Sequence, residues 1–206
     1  MYNRSPFDKP GQLELHRQTI RLRCRLGSVQ AALRDDSFMK GLRDTLVKWG
    51  MDSRGLAGHL LPLSEFSFRL RNYEDQLIEL EGLDIEDGGL SLQKIGRQLC
   101  SLITEMKLSQ TKNQIVIGSK ALHHILPNLI PPIDREYTRR FFEFWMPQFQ
   151  YNPDVFQYIW IGFALIARRT HPKQYVGKGA WFTSKTKVLD NAVVGYCKYH
   201  DLPKLR

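Results

Sequence analysis

Lys120 is the side chain in this sequence whose neighbours most suggest chemistry. It lies in the run Ile115-Val116-Ile117-Gly118-Ser119-Lys120-Ala121-Leu122-His123-His124-Ile125-Leu126, and Pro131-Pro132-Ile133-Asp134-Arg135 follows shortly after. A Gly-Ser pair at a helix start lets free backbone N–H groups approach an anion closely, and Lys120 adds a full charge one residue on. Gly118, Ser119 and Lys120 are thus a phosphate site in outline. The same residues also suit a helix start packed tightly on a neighbour, with the lysine solvated. Asp134 reads either as a working carboxylate or as an N-cap with Arg135 and Arg139 close by.

A second group of residues is Lys178-Gly179-Ala180-Trp181-Phe182-Thr183-Ser184-Lys185-Thr186-Lys187. Aromatics interleaved with lysines and hydroxyls suit a nucleic-acid backbone, because hydroxyls and helix-terminal amides position phosphates while a ring stacks on a base. Gly177 and Gly179 flank a loop that is expected to expose the Trp181 indole. The plain alternative has Thr183 or Ser184 as an N-cap, Lys178, Lys185 and Lys187 in solvent, and Trp181 plugging the core. Asp190 and Asn191 are polar and mid-helix, so each is expected to face a buried hydrogen-bond network or a ligand.

Other chemistries find less in the sequence. His123 and His124 are adjacent and point to different sides of a helix, so they cannot share a metal as an i, i+4 pair can. Cys24, Cys100 and Cys197 are far apart, odd in number and without CxxC spacing, and read as small core residues rather than a disulfide or zinc framework. No Walker, dinucleotide, zinc-protease or nucleophile-elbow signature is present. Neither a metal nor a cofactor is expected.

The elements that must position these residues read as helices. Gly11 to Leu33 forms one amphipathic helix with an Arg17, Arg21, Arg25 ladder, and Asp35, Asp36 or Ser37 caps a second over Phe38–Trp49. Ser53 to Pro62 is an irregular connection. Ser64 opens a helix to Leu80 with Phe68, Leu70, Leu77 and Leu80 inward; Asp84–Gly89 is a turn; Ser91 caps a helix to Leu108. Then come a helix from Gln114 or Ser119 to Leu126, one starting at Asp134 and ended by Pro147, one capped by Asn152-Pro153 and running to Arg169, and one over Ser184–His200. Of the aromatics, Phe141, Phe142 and Trp145 are assigned to the core. Gln174–Val176 is the one short extended run. The fold class is all-α, an irregular bundle of about eight helices in a single domain over 1–206, with 1–108 and 109–206 as the alternative pair of lobes.

The 206 residues are 42% hydrophobic and 25% charged, an ordinary globular composition that excludes disordered and fibrous classes. The richest apolar stretch, Val155–Ala167, contains Gln157 and is too short to cross a membrane. Met1 to Pro10 lacks the pattern of a secretory signal, so a cytoplasmic address is expected. The net charge of +9 is segregated. Residues 1–34, 91–140 and 171–206 each carry net +5, while 64–90 carry net −6. If the basic segments converge, they attract a polyanion such as DNA. The acidic helix over 64–81 is expected to dock on a basic partner or on the chain's own basic surface in a homodimer.

The order Gly118, Lys120, an apolar helix, then Ile133-Asp134 and basic residues resembles the core of the helix-hairpin-helix DNA glycosylases, over about residues 113–142. With Thr183-Ser184-Lys185-Thr186-Lys187 and Asp190-Asn191-Ala192, the stretch is also similar to small prokaryotic proteins of unassigned activity. The glycosylase resemblance implies DNA repair: Gly118 at a phosphate-binding turn, Lys120 as Schiff-base nucleophile and Asp134 as catalytic carboxylate. It implies a base flipped from the duplex onto an aromatic, for which Tyr137, Trp145, Tyr151, Trp160 and Trp181 are candidates. Lys120 would then need a pKa lowered by desolvation. The alternative is a helical module that binds nucleic acid or protein without catalysis, with Asp134 only a cap.

Overall fold

Caps and left-handed glycines decide where each helix begins and ends. In the computed structural model, which describes residues 11–52, 60–112, 114–152, 154–200 and 202, α1 (Gln12–Leu26) stops at Gly27, whose φ of 76° few side chains tolerate. Ser28 then caps α2 (Val29–Arg34) by accepting from the Ala31 amide. Asp35 does the same for α3 (Asp36–Lys48) at the Phe38 amide. The expected single helix over Gly11–Leu33 is therefore two. The expectations for residues 1–10, for the start of the Ser53 connection and for Pro153 lie outside the described residues, as does the Tyr151 side chain.

The acidic stretch divides likewise, into α4 (Leu63–Arg71) and α5 (Glu74–Glu79). Phe66 is the buried ring of α4, and Phe68, expected inside, is 61% exposed. Asx turns at Asp84 and Asp87 lead into α6 (Leu92–Met106), which follows the expected stripe. After it come α7 (Ile115–Ile125), α8 (Tyr137–Phe141), α9 (Met146–Tyr151), α10 (Asp154–Thr170), a 3-10 turn over Pro172–Tyr175 and α11 (Lys185–Tyr199). Pro147 does not end a helix; it sits in the first turn of α9, where its missing N–H costs nothing. Gln174–Val176 is not extended, since most of it belongs to the 3-10 turn. The described chain is all-α, as expected, with eleven α-helices, roughly consistent with the expected eight or so, and one isolated bridge, Leu60 with Ser109. No described helix is long and apolar enough to cross a membrane.

One buried apolar cluster takes side chains from both halves of the chain, from Val29 to Cys197. α10 packs along α6, and α1 along α3. Trp160 is wholly buried on α10 and donates its indole N–H to the Leu129 carbonyl, so it is core and no stacking face. Trp145 is the reverse, 65% exposed where the core was expected. Cys24 is also exposed, whereas Cys100 and Cys197 are buried thiols. The acidic stretch finds its partners within this same chain: Glu81 pairs with Arg23, Glu74 with Arg34, and Asp84 and Glu86 with Lys185.

Gly118 shows how closely α7 packs on α6. A Cβ there would lie 2.9 Å from Cγ2 of Ile103, inside contact distance. Gly118→Ala is expected to cost about 1–3 kcal/mol through overpacking, read from the urea midpoint. An unchanged midpoint would mean that Ile103 swings aside freely.

Candidate functional site

α1 buries an unusual face. Its inward residues Gln12, His16, Thr19 and Arg23 are polar and recur at helical spacing, so this stripe needs polar partners inside the protein. His16 finds them on two other elements. Its Nδ1 lies 2.9 Å from Nε2 of His124 on α7, and its Nε2 lies 2.7 Å from the Thr183 hydroxyl, just ahead of α11.

The directions of these bonds follow from their ends. His124 Nδ1 is 2.8 Å from the Lys120 carbonyl, which only accepts, so this nitrogen carries the proton. His124 Nε2 then accepts from His16 Nδ1–H, and His16 Nε2 accepts from Thr183. A chain of neutral groups thus runs from Thr183 through two imidazoles to the backbone of Lys120. His123 donates through Nδ1 to the Ile130 carbonyl at 2.9 Å and to the Thr186 hydroxyl at 3.0 Å. Its Nε2 is buried without a hydrogen-bond partner among the described residues, as are the indole nitrogens of Trp49 and Trp181. Burial, the largest cause, drives all three imidazoles below their ordinary pKa, His124 to about 4, and neighbouring Lys187 adds to it.

Against this cluster stand two lysines. Lys187 is buried and pairs with Asp190, three residues on in α11, at 2.5 Å. Its ammonium lies 5.4 Å from the Trp49 ring centre and 5.1 Å from that of Trp181. Lys120 has a different environment. It is 9% exposed, its ammonium lies 5.6 Å over the Trp49 ring, and among the described residues it meets no hydrogen-bond or ion-pair partner. Desolvation lowers its pKa; Asp134 and Asp190 are near enough to oppose that, and Lys187 to reinforce it.

Ser119 fixes the segment that leads into Asp134. Its hydroxyl donates to the Val116 carbonyl and accepts the Ile133 amide at 3.1 Å, pinning the Pro131–Ile133 segment to α7. Asp134 follows at once, half-buried. Its Oδ1 accepts from the Glu136 and Tyr137 amides at 2.7 and 2.9 Å, so it caps the start of α8 as expected while lying within electrostatic reach of Lys120.

Several expected positions move. Gly118 and Ser119 are not at a free helix start: α7 begins at Ile115 and the Gly118 amide donates to the Gln114 carbonyl, so no phosphate cradle exists there. Trp181 is not an exposed loop indole but 3% exposed, covering the polar cluster. Arg139 is buried and donates to the Phe144 carbonyl, a structural contact rather than a phosphate grip. Ser184 caps α11, and Lys185 spends its charge on Asp84 and Glu86. Arg135 is half-buried next to Asp134, and Lys178 is exposed, 5.8 Å over the Tyr175 ring. Lys120, Asp134, Trp181, Thr183 and Lys187 do converge, joined by His16, Trp49 and His124, to which the sequence reading gave no role in a site. Asp190 faces a buried partner, as its mid-helix position implies. Among the described residues no group of three His, Cys, Asp or Glu side chains is placed to hold a metal ion.

The chain matches no protein-family model, no curated protein and no solved structure.

Proposed function

We propose that this protein is a DNA-repair enzyme of the glycosylase/lyase type, in which Lys120 attacks the sugar carbon left at an abasic or damaged site. The observation that supports this reading is a desolvated lysine amine that has no hydrogen-bond or ion-pair partner among the described residues and lies within electrostatic reach of the Asp134 carboxylate. Most buried lysines are paired, and an unpaired one with a lowered pKa is a marker of reactive amines.

The steps balance with this chain's own groups. The neutral Lys120 Nζ adds to the C1′ aldehyde of an abasic sugar, and the carbinolamine takes a proton from solvent and loses water to form an iminium. Asp134, through the oxygen not used in capping, takes a proton from C2′. The C3′–O bond then breaks and the phosphate leaves, after which water hydrolyses the imine and returns the lysine. In this reading Asp134 also stabilises the positive charge that develops on a sugar as a damaged base departs. The half-buried Trp49 offers a ring next to the amine. Such a role belongs in the compartment that holds DNA, the cytoplasm in a prokaryotic cell.

Borohydride trapping on duplex DNA with an abasic site tests this. Wild-type protein is expected to give a covalent adduct, and Lys120→Ala none, with urea stability within about 1 kcal/mol of wild type because no hydrogen bond or ion pair among the described residues is lost. An adduct that survives in Lys120→Ala, or none from the wild type, overturns the lysine mechanism. The engagement of Asp134 Oδ1 as a cap favours a second reading, binding without chemistry. Salt-dependent DNA binding without trapping would select it.

A further inference from the structure

α11 carries a second stripe, turned away from Lys187 and Asp190. Val188, Ala192, Gly195 and Tyr199 recur along it, and with the end of α10 and the 3-10 turn they enclose a cavity of about 380 Å³. We propose that this cavity receives an unstacked base of a single nucleic-acid strand, a site separate from Lys120 that rests on the nucleic-acid part of the reading above.

The walls are rings. Tyr175, Phe182, Tyr196 and Tyr199 line the cavity, and Tyr196 and Tyr199 stay 48% and 73% exposed. The His200 ring is 4.2 Å from that of Tyr196, which extends the aromatic shelf. Apolar walls of this size with few polar groups are typical of sites for small planar ligands. Among those polar groups, Asn191 donates through Nδ2 to the Trp181 carbonyl at 3.4 Å and keeps Oδ1 for an incoming N–H.

Charge selects the occupant. Among the described residues no acidic side chain lines the cavity, while Arg169, Lys173 and Lys198, all exposed, sit on the elements that build it, and the exposed Lys178 follows the 3-10 turn. The Lys178 ammonium lies 5.8 Å over the ring of the lining Tyr175. Glu86 accepts the Lys173 amide but is paired with Lys185, so the edge stays cationic. Rings to stack bases with cations to follow phosphates is the combination that binds single strands without sequence preference. An apolar peptide would leave these cations unmatched.

Fluorescence anisotropy with a labelled oligothymidylate measures this binding. Tyr199→Ala, a surface change that leaves the fold intact, is expected to weaken it by about tenfold, and Lys178→Ala to reduce the slope of log affinity against log salt by roughly one. Affinity unchanged in Tyr199→Ala and Tyr196→Ala, or no strand binding by the wild type, overturns the proposal. Borohydride trapping on the same proteins separates the two readings. Tyrosine-dependent strand binding without any trapping keeps the base site and overturns Lys120 as nucleophile, whereas trapping without tyrosine-dependent binding does the opposite.

Discussion

Asp190→Ala is expected to destabilise the protein by about 3–5 kcal/mol, because it leaves the Lys187 ammonium buried with no anion. The side chains of Lys187 and Asp190 are only 6% and 7% exposed, so water cannot replace the lost carboxylate. What remains around the ammonium is two indole faces, which offset a few kcal/mol at most. Burial already raises the pKa of Asp190, with Lys187 opposing, which marks how strongly each charge needs the other. Asp190→Asn, which keeps an acceptor, is expected to lose less, and Lys187→Met with Asp190→Leu to come close to wild type, since a matched apolar pair removes both desolvation costs together. Urea unfolding at pH 7 gives all three values. An alanine variant within 1 kcal/mol of wild type, or a double variant as damaged as the single one, would mean that the pair does not hold α11 in place.

Where apolar period alone decides an element, the sequence is enough. Leu92, Ile95, Leu99, Leu102, Ile103 and Met106 repeat on one face, and α6 runs almost as its sequence predicts. The Asp35 cap and the polar mid-helix Asp190 are legible for the same reason, since each is a local mismatch with one local remedy. α1 shows the limit. Its leucines at 13 and 15 are half-buried, and its inner face is the polar series Gln12, His16, Thr19, Arg23, with Ile20 beside it. Hydrophobicity cannot reveal such a face, because its burial depends on His124 and Thr183, more than a hundred residues away along the chain. The helical spacing of those four polar residues was the one available signal. Trp181 and Lys185 fail likewise: a glycine-flanked indole and a helix-start lysine look exposed until the acidic turn at Asp84–Glu86 and the histidine cluster close over them.

The same burial that lowers the pKa of Lys120 commits the protein to a narrow acid limit. His16, His123 and His124 are neutral in the folded chain because burial, reinforced by the nearby lysines, penalises the imidazolium. The unfolded chain protonates each near the ordinary value of about 6.5. Below that pH the unfolded state therefore binds more protons, and stability falls as pH falls, by about 1.36 kcal/mol per unit for each histidine until its folded pKa is reached. For His124 the window runs from the ordinary value down to about 4, a loss on the order of 3 kcal/mol. His124 alone is expected to take roughly 1 kcal/mol from stability between pH 6 and pH 5, and His16 and His123 deepen that loss. Among the groups that face the cluster, Lys120, Lys187 and Arg17 all repel an added proton. Asp190, whose pKa burial raises, takes up a proton more readily when folded and so softens the slope only toward its acid end. Urea unfolding at pH 7, 6 and 5 measures the slope, and His124→Gln, which keeps one donor and one acceptor in place, should reduce it by about 1.36 kcal/mol per unit. A flat wild-type profile across this range, or an unaltered slope in His124→Gln, would mean that the imidazoles reach water and that the dry surroundings proposed for the Lys120 amine do not exist.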